Sequence, residues 1–163
     1  MAKKVLLETR SEPALYTLVG ISCHLKDYRL SFLLNHHLNL DFIKKSDFPL
    51  TVSPKKEADS FSFYHCRDED QFNVYYLLSN RGQESFLLPE MKQTDFLLLV
   101  EGPFKKNRLD RIQQQIRGIP NVLTCFEIKL LSLKNYETLL SELEMHLSNL
   151  SRETKVKYIS PKK

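Results

Sequence analysis

Tryptophan is absent from this 163-residue chain, and glycine and cysteine are scarce, with four and three residues. The glycines, Gly20, Gly82, Gly102 and Gly118, are isolated, so no loop of the Walker or dinucleotide-binding kind is available to cradle a phosphate. Cys23, Cys66 and Cys125 form no close pair, and each sits in an apolar stretch. That excludes a disulfide framework and leaves thiols that behave as small hydrophobes. The five histidines, His24, His36, His37, His65 and His146, lack the spacing to cysteine or carboxylate that zinc requires. His65 lies on a strand face without a local partner, which makes it a sheet residue rather than a general base. No nucleophile elbow is present. No apolar run approaches the roughly 18 to 20 residues of a membrane span, and the first ten residues lack the apolar core of a secretory signal. These absences predict a cytoplasmic chain with no membrane association, no cofactor and no structural metal.

The charge that is present is unevenly placed. Residues 151–163 hold five basic groups (Arg152, Lys155, Lys157, Lys162, Lys163) and one acid (Glu153), which accounts for the whole net charge of +4. The first 150 residues are therefore formally neutral, without the basic excess of a phosphate-binding surface. The length and a hydrophobic content of 42% suit one domain with a real core. We expect a single domain over 1–150 and a basic, flexible tail over 151–163, either solvated or in electrostatic contact with RNA, DNA or an acidic partner.

Strand and helix signals alternate along the chain. Ala14 to Ser22 reads as a buried strand. Leu30, Leu33, Leu34 and His37/Leu38 then recur at helical spacing, with Asp27 placed to cap the helix start and Asn39 near its end. Leu40 to Ile43 resumes an extended pattern, and Pro49, Pro54 and the charged stretch after them mark a loop. A hairpin follows from Phe61 to Leu78 across an acidic link, with Phe72, Val74, Tyr76 and Leu78 sharing one face. Asn80-Arg81-Gly82 turns the chain, and Phe86 to Leu88 forms a brief strand. Thr94 to Val100 is apolar on both faces beyond its entry, which predicts a central strand. Leu109, Ile112 and Ile116 line a second helix that Gly118 stops, and Asn121 to Ile128 is the next strand. This order predicts a crossover between two parallel strands. A third helix from Leu133 to Leu150 has Tyr136, Leu139, Leu140, Leu143, Leu147 and Leu150 on one face, to cover the sheet or to pair with a second subunit. The expected fold is α+β: a ferredoxin-like sheet with two strand-helix-strand units, an added β-hairpin and a C-terminal helix.

Between the third and fourth apolar runs lies a corner, Leu88-Pro89-Glu90, followed after three residues by Thr94-Asp95-Phe96. Pro89 fixes its own φ and pushes Leu88 into an extended conformation. Asp95 is placed to accept hydrogen bonds from backbone N–H groups of the Glu90 to Gln93 bend, a structural joint between two strands. Alternatively, converging Glu90 and Asp95 carboxyls would split their pKa values and give one acid and one base. Two basic clusters are candidate anion contacts. Lys26 and Arg29 stand at the start of the first helix. Lys105, Lys106 and Arg108 stand at the start of the second, where positive charge opposes the helix dipole. With the tail, this second cluster could face RNA, Phe104 or Tyr158 stacking on a base.

The corner resembles the signature of an uncharacterised bacterial family named for its Ile-Pro-Glu-x-x-x-Val-Asp-Tyr motif. Pro89, Glu90 and Asp95 match it, while Leu88, Thr94 and Phe96 stand where the motif has isoleucine, valine and tyrosine. The likeness extends more loosely from Leu15 to Ile128 and includes the segment Gly20 to Asn35. It implies no activity, and any role of the tyrosine hydroxyl could not operate here.

Together these features predict a non-catalytic interaction or regulatory module, with a protein partner or self-association through a sheet edge or the third helix. A nucleic-acid-associated accessory protein ranks second and a small Glu90/Asp95 enzyme third.

Overall fold

The computed structural model describes residues 15–51 and 57–159, with 154–159 as backbone only. Pro54, Lys162 and Lys163 lie outside the described residues, as do the side chains of Lys155, Lys157 and Tyr158. Six strands form one sheet: β1 (Tyr16–Cys23), β2 (Ile43–Leu50), β3 (Asp59–Asp68), β4 (Asn73–Ser79), β5 (Phe96–Glu101) and β6 (Val122–Ile128). Among the described residues three α-helices accompany it: α1 (Asp27–Leu38), α2 (Lys106–Arg117) and α3 (Tyr136–Ile159). The sheet order is β2-β3-β4-β5-β1-β6, and every pairing is antiparallel. The mixed α+β class expected from the sequence is the one observed. The strand-helix-strand units β1-α1-β2 and β5-α2-β6 are split, as in ferredoxin-like sheets. The hairpin β3-β4 stands between β5 and β2.

The parallel orientation expected of β5 and β6 is the one observed. Both run antiparallel to β1, hence parallel to each other, but β1 lies between them. In this position β1 pairs through its backbone on both edges, and both of its faces are buried from Leu18 to Cys23.

Two apolar layers result. On one face Val19, Ile21, Tyr75, Leu77, Leu98 and Val100 pack against α1 through Leu30 and Leu34 and against α2 through Leu109, Ile112 and Ile116. On the other, Leu18, Phe48, Phe61, Phe63, Leu97 and Leu99 pack under α3 through Leu139 and Leu143. The apolar face of α3 therefore covers its own sheet. The helix also runs beyond Leu150 to Ile159, so the first part of the basic segment is helical.

Several local expectations are corrected. Lys26, not Asp27, occupies the cap position of α1, and it makes no side-chain cap bond. Asp27 is the first helical residue, and its carboxylate accepts from the Tyr64 hydroxyl at 2.9 Å. The expected loop around Pro49 is strand β2, which lies at the sheet edge where a proline without an N–H is tolerated. Phe72 is not on the hairpin face. The register pairs Asp68 with Asn73, so Phe72 falls in the turn at φ 59° and is 82% exposed. Phe86 to Leu88 makes only one bridge, Arg81 to Phe86, before a 3-10 turn at Pro89–Met91.

Candidate functional site

The segment from Ser79 to Phe96 joins two neighbouring central strands, and its path is set by one buried side chain. Asn80, fully buried, donates its amide to the carbonyls of Met91 at 2.9 Å and Thr94 at 2.8 Å. Its side-chain oxygen accepts from the Leu88 N–H at 2.7 Å. Sequence reasoning saw Asn80 as a turn residue only. Pro89 opens the 3-10 turn with Leu88 extended before it. Glu90 accepts from the backbone N–H of Lys134 at 3.1 Å, which ties the corner to the entry of α3.

Asp95 has different partners from those expected. Its carboxylate accepts from the Cys23 N–H at 2.9 Å and from Arg81 Nε at 3.0 Å. The bend itself is satisfied by Asn80 and by the Ser22 hydroxyl, which donates to the Gln93 carbonyl at 2.7 Å. The cause is position: Asp95 precedes β5 and lies beside the end of β1, where its own N–H donates to Ile21. Glu90 and Asp95 are thus engaged by different partners, and Glu90 is not among the residues lining the cleft that opens beside Asp95.

One residue of this segment conflicts with its surroundings. Thr94 is fully buried, yet its hydroxyl has no protein partner. Valine has nearly the same shape without the unmet hydrogen bond, so Thr94→Val should raise stability by about 1 kcal/mol. A thermal melt shifted upward by roughly 2 to 4 °C is the expected reading, and a downward shift would refute it.

A cleft of about 460 Å³ opens beside Asp95. Cys23, Leu25 and Phe96 give it apolar surface, and Lys26, Asp27, Arg81, Asp95 and three serines, Ser60, Ser62 and Ser79, give it polar surface. Its rim at Arg81 to Gln83 is fixed from β3. Asp59 accepts from the N–H groups of Gln83, Glu84 and Ser85, each at 3.0 Å, and from the Ser85 hydroxyl at 2.8 Å. A Cβ on Gly82 would overlap the Asp59 carboxylate, so the close approach requires glycine. Burial opposes ionisation of Asp59, but the bonds from Glu84, Gln83, Ser85 and Ser60 outweigh it and hold its carboxyl well below the usual range. A depressed native pKa stabilises the fold above the unfolded value near about 3.9, and that stabilisation disappears as pH falls through the native value. Stability should therefore drop below about pH 4, and in Asp59→Asn this part of the acid limb should flatten. Urea melts across that range check it; identical acid limbs would refute it.

The cleft lacks a poised nucleophile. Burial pushes the Cys23 thiol up, a backbone hydrogen bond at Leu25 opposes this and Asp95 adds to it, so the thiol stays protonated. All three cysteines are free and buried. His65 is shifted down by burial and by Lys45 and Arg67, and it is not among the residues lining this cleft. No group of residues suited to a metal ion occurs among the described residues.

The two candidate anion clusters stand at opposite ends of the sheet. Lys26 and Arg29 follow the Cys23 end of β1, whereas Lys105, Lys106 and Arg108 follow Glu101, which pairs with Tyr16 at the other end. Arg108 is already engaged: it donates to the Asn73 side chain and the Tyr75 hydroxyl, pairs with Asp68 at 3.5 Å and lies over the Phe104 ring. That arrangement offsets the charge facing the helix dipole and occupies Phe104. Lys106 pairs with Asp110 at 3.3 Å, while Lys105 precedes α2 and is exposed. The sheet separates α2 from α3 and its basic segment.

No protein-family model matches the chain, and no curated protein matches it. No helix among the described residues is long and apolar enough to cross a membrane.

Proposed function

We propose that the protein is a non-catalytic interaction module that binds a protein partner in the cytoplasm. The observation that carries this reading is the use of the two carboxylates that were the best acid/base candidates in the sequence: Glu90 and Asp95 serve backbone donors and Arg81. They act as joints, and the one thiol lining the cleft beside Asp95, that of Cys23, is held protonated. Three free, buried thiols suit a reducing compartment. We also propose that the chain belongs with the Ile-Pro-Glu-x-x-x-Val-Asp-Tyr family it resembles, a reading supported by the structural use that Pro89, Glu90 and Asp95 have here.

Surface composition supports the same reading. Tyr28 and Phe32 are large rings left 65% and 60% exposed on α1, and exposed aromatics beside arginine are the usual anchors of protein interfaces. The test is affinity capture from the native cytoplasm with the wild-type chain and with a Tyr28→Ala/Phe32→Ala variant. Proteins retained by the first and lost from the second, at unchanged melting temperature, are the expected result. Recovery of nothing above the tag control would overturn the reading, as would an Asp95→Asn variant that melts normally but loses a measurable turnover.

A further inference from the structure

We propose that the outer face of α1 and the adjoining cleft dock an extended peptide segment of a partner protein, in which acidic residues flank an apolar side chain. The proposal deepens the interaction-module reading and rests on it. Every exposed residue from 24 to 38 is a cation, an imidazole or an aromatic ring: His24, Lys26, Tyr28, Arg29, Phe32 and His36. The one carboxylate in that stretch, Asp27, is half-buried and bonded to Tyr64. Such a surface complements acidic residues.

The rings add a second requirement. Tyr28 and Phe32 are one helical turn apart, so they stand on the same side of α1. The Arg29 guanidinium lies 5.9 Å from the centre of the Phe32 ring, a contact that limits the ring's freedom before any partner arrives. Exposed rings of this kind gain most from an apolar partner group.

The cleft begins where the helix does, since Lys26 and Asp27 line it. Its volume, about 460 Å³, falls in the range that takes small ligands or a few side chains. Arg81 is held there by Asp95 through Nε and by the Phe86 ring, 5.4 Å away. Its remaining N–H groups make no hydrogen bond to another described residue, and an arginine oriented this way suits a carboxylate. The Ser62 hydroxyl, another lining group, is buried without a protein partner, an unmet demand that a ligand can satisfy.

The mixture of polar groups selects a peptide over a nucleic acid. Lys26 and Arg81 donate, Asp27 and Asp95 accept, and the serines do both. An extended peptide brings N–H and C=O groups for both kinds of partner. A phosphodiester backbone brings acceptors only and repeats its charge at every nucleotide, so it would face the two carboxylates, whereas a peptide can set neutral amides against Asp27 and Asp95 and its acids against Lys26, Arg29 and Arg81.

Fluorescence anisotropy tests this with labelled peptides of alternating Asp and Leu, matched Lys/Leu and Ser/Leu peptides, and oligo-uridine. The Asp/Leu peptide should bind at least about tenfold tighter than the others. Tyr28→Ala, Lys26→Glu and Arg29→Glu should each weaken it by about tenfold while the melting temperature stays put. Lys105→Glu, at the other end of the sheet, should leave it unchanged. Oligo-uridine or the Lys/Leu peptide binding as tightly through the same residues would overturn the proposal, and so would Asp/Leu binding that ignores the α1 variants. If no probe binds but protein capture still depends on Tyr28 and Phe32, the peptide chemistry is wrong and the module reading stands. If capture fails as well, both fall.

Discussion

Asn80→Ala is expected to cost about 3 to 5 kcal/mol and to lower the melting temperature by roughly 10 °C. Three side-chain hydrogen bonds disappear: the Leu88 N–H and the Thr94 carbonyl lose the Asn80 side chain, and the Met91 carbonyl keeps only the Thr94 N–H. Unsatisfied buried groups cost about 1 to 3 kcal/mol each, with partial recovery where water can enter. The backbone of Asn80 also bonds to Asp95 and Leu87, so the corner and the entry to β5 should loosen together. Asn80→Asp should be no milder, because it removes the donors that face two carbonyls and buries a charge. Exposed Glu84, a few residues on, provides the control, and its alanine variant should stay within about 0.5 kcal/mol of wild type. Thermal and urea melts decide it. An Asn80→Ala protein that melts with wild type would mean the corner is held by Pro89 and Glu90 alone.

The contrast between Asn80 and its neighbours shows what one sequence discloses. Pro89, Glu90 and Asp95 attract notice because proline fixes its own backbone and an acid beside an apolar strand needs a reason to be there. Asn80 sits in an Asn-Arg-Gly turn, where asparagine is ordinary. Nothing local reveals that its amide reaches residues 88 to 94. The same limit misplaced the donors to Asp95: the sequence suggests the nearby bend, whereas the structure supplies Cys23, on the adjacent strand. The cleft beside it was invisible for the same reason, although Lys26 and Asp95, two of its lining residues, had each been singled out.

Helices were the most legible part of the fold. Leu109, Ile112 and Ile116 form the buried stripe of α2, and the α3 stripe lies against the sheet, because a period of about 3.6 residues survives in any context. Strand β2 was hidden by Lys44, Lys45, Asp47 and Pro49. Charges and proline are what an edge strand carries to discourage pairing with another chain, and they look like a loop in a single sequence. The opposite edge, β6, carries a different device. Arg117 on α2 donates to the Cys125 carbonyl at 3.1 and 2.8 Å, which occupies a backbone acceptor on that strand.

Leu143→Asp should remove α3 from the sheet, with a stability loss above about 4 kcal/mol. Leu143 is 1% exposed and belongs to the layer formed by Phe48, Phe61, Phe63, Leu97 and Leu99. One turn on, His146 bonds to the Ser46 carbonyl at 3.0 Å and stands edge-on to Phe63 and Phe48. A carboxylate at 143 has no lysine or arginine among the residues of this layer to pair with, so releasing the helix is the way to avoid burying it. Leu143→Ala, which leaves a cavity but no charge, should cost about 2 to 5 kcal/mol and keep α3 docked. Met145→Asp, on the exposed side of the same helix, should stay within about 0.5 kcal/mol. Amide exchange over residues 136–153 separates the three variants, since only Leu143→Asp should lose protection there. The released helix would uncover apolar sheet surface large enough to drive association, so sedimentation should show Leu143→Asp self-associating. If Leu143→Asp instead exchanged and melted like Met145→Asp, α3 would not be the cover of this face. The native chain has already committed this face of α3 to its own sheet, so a native dimer would have to be built on another surface.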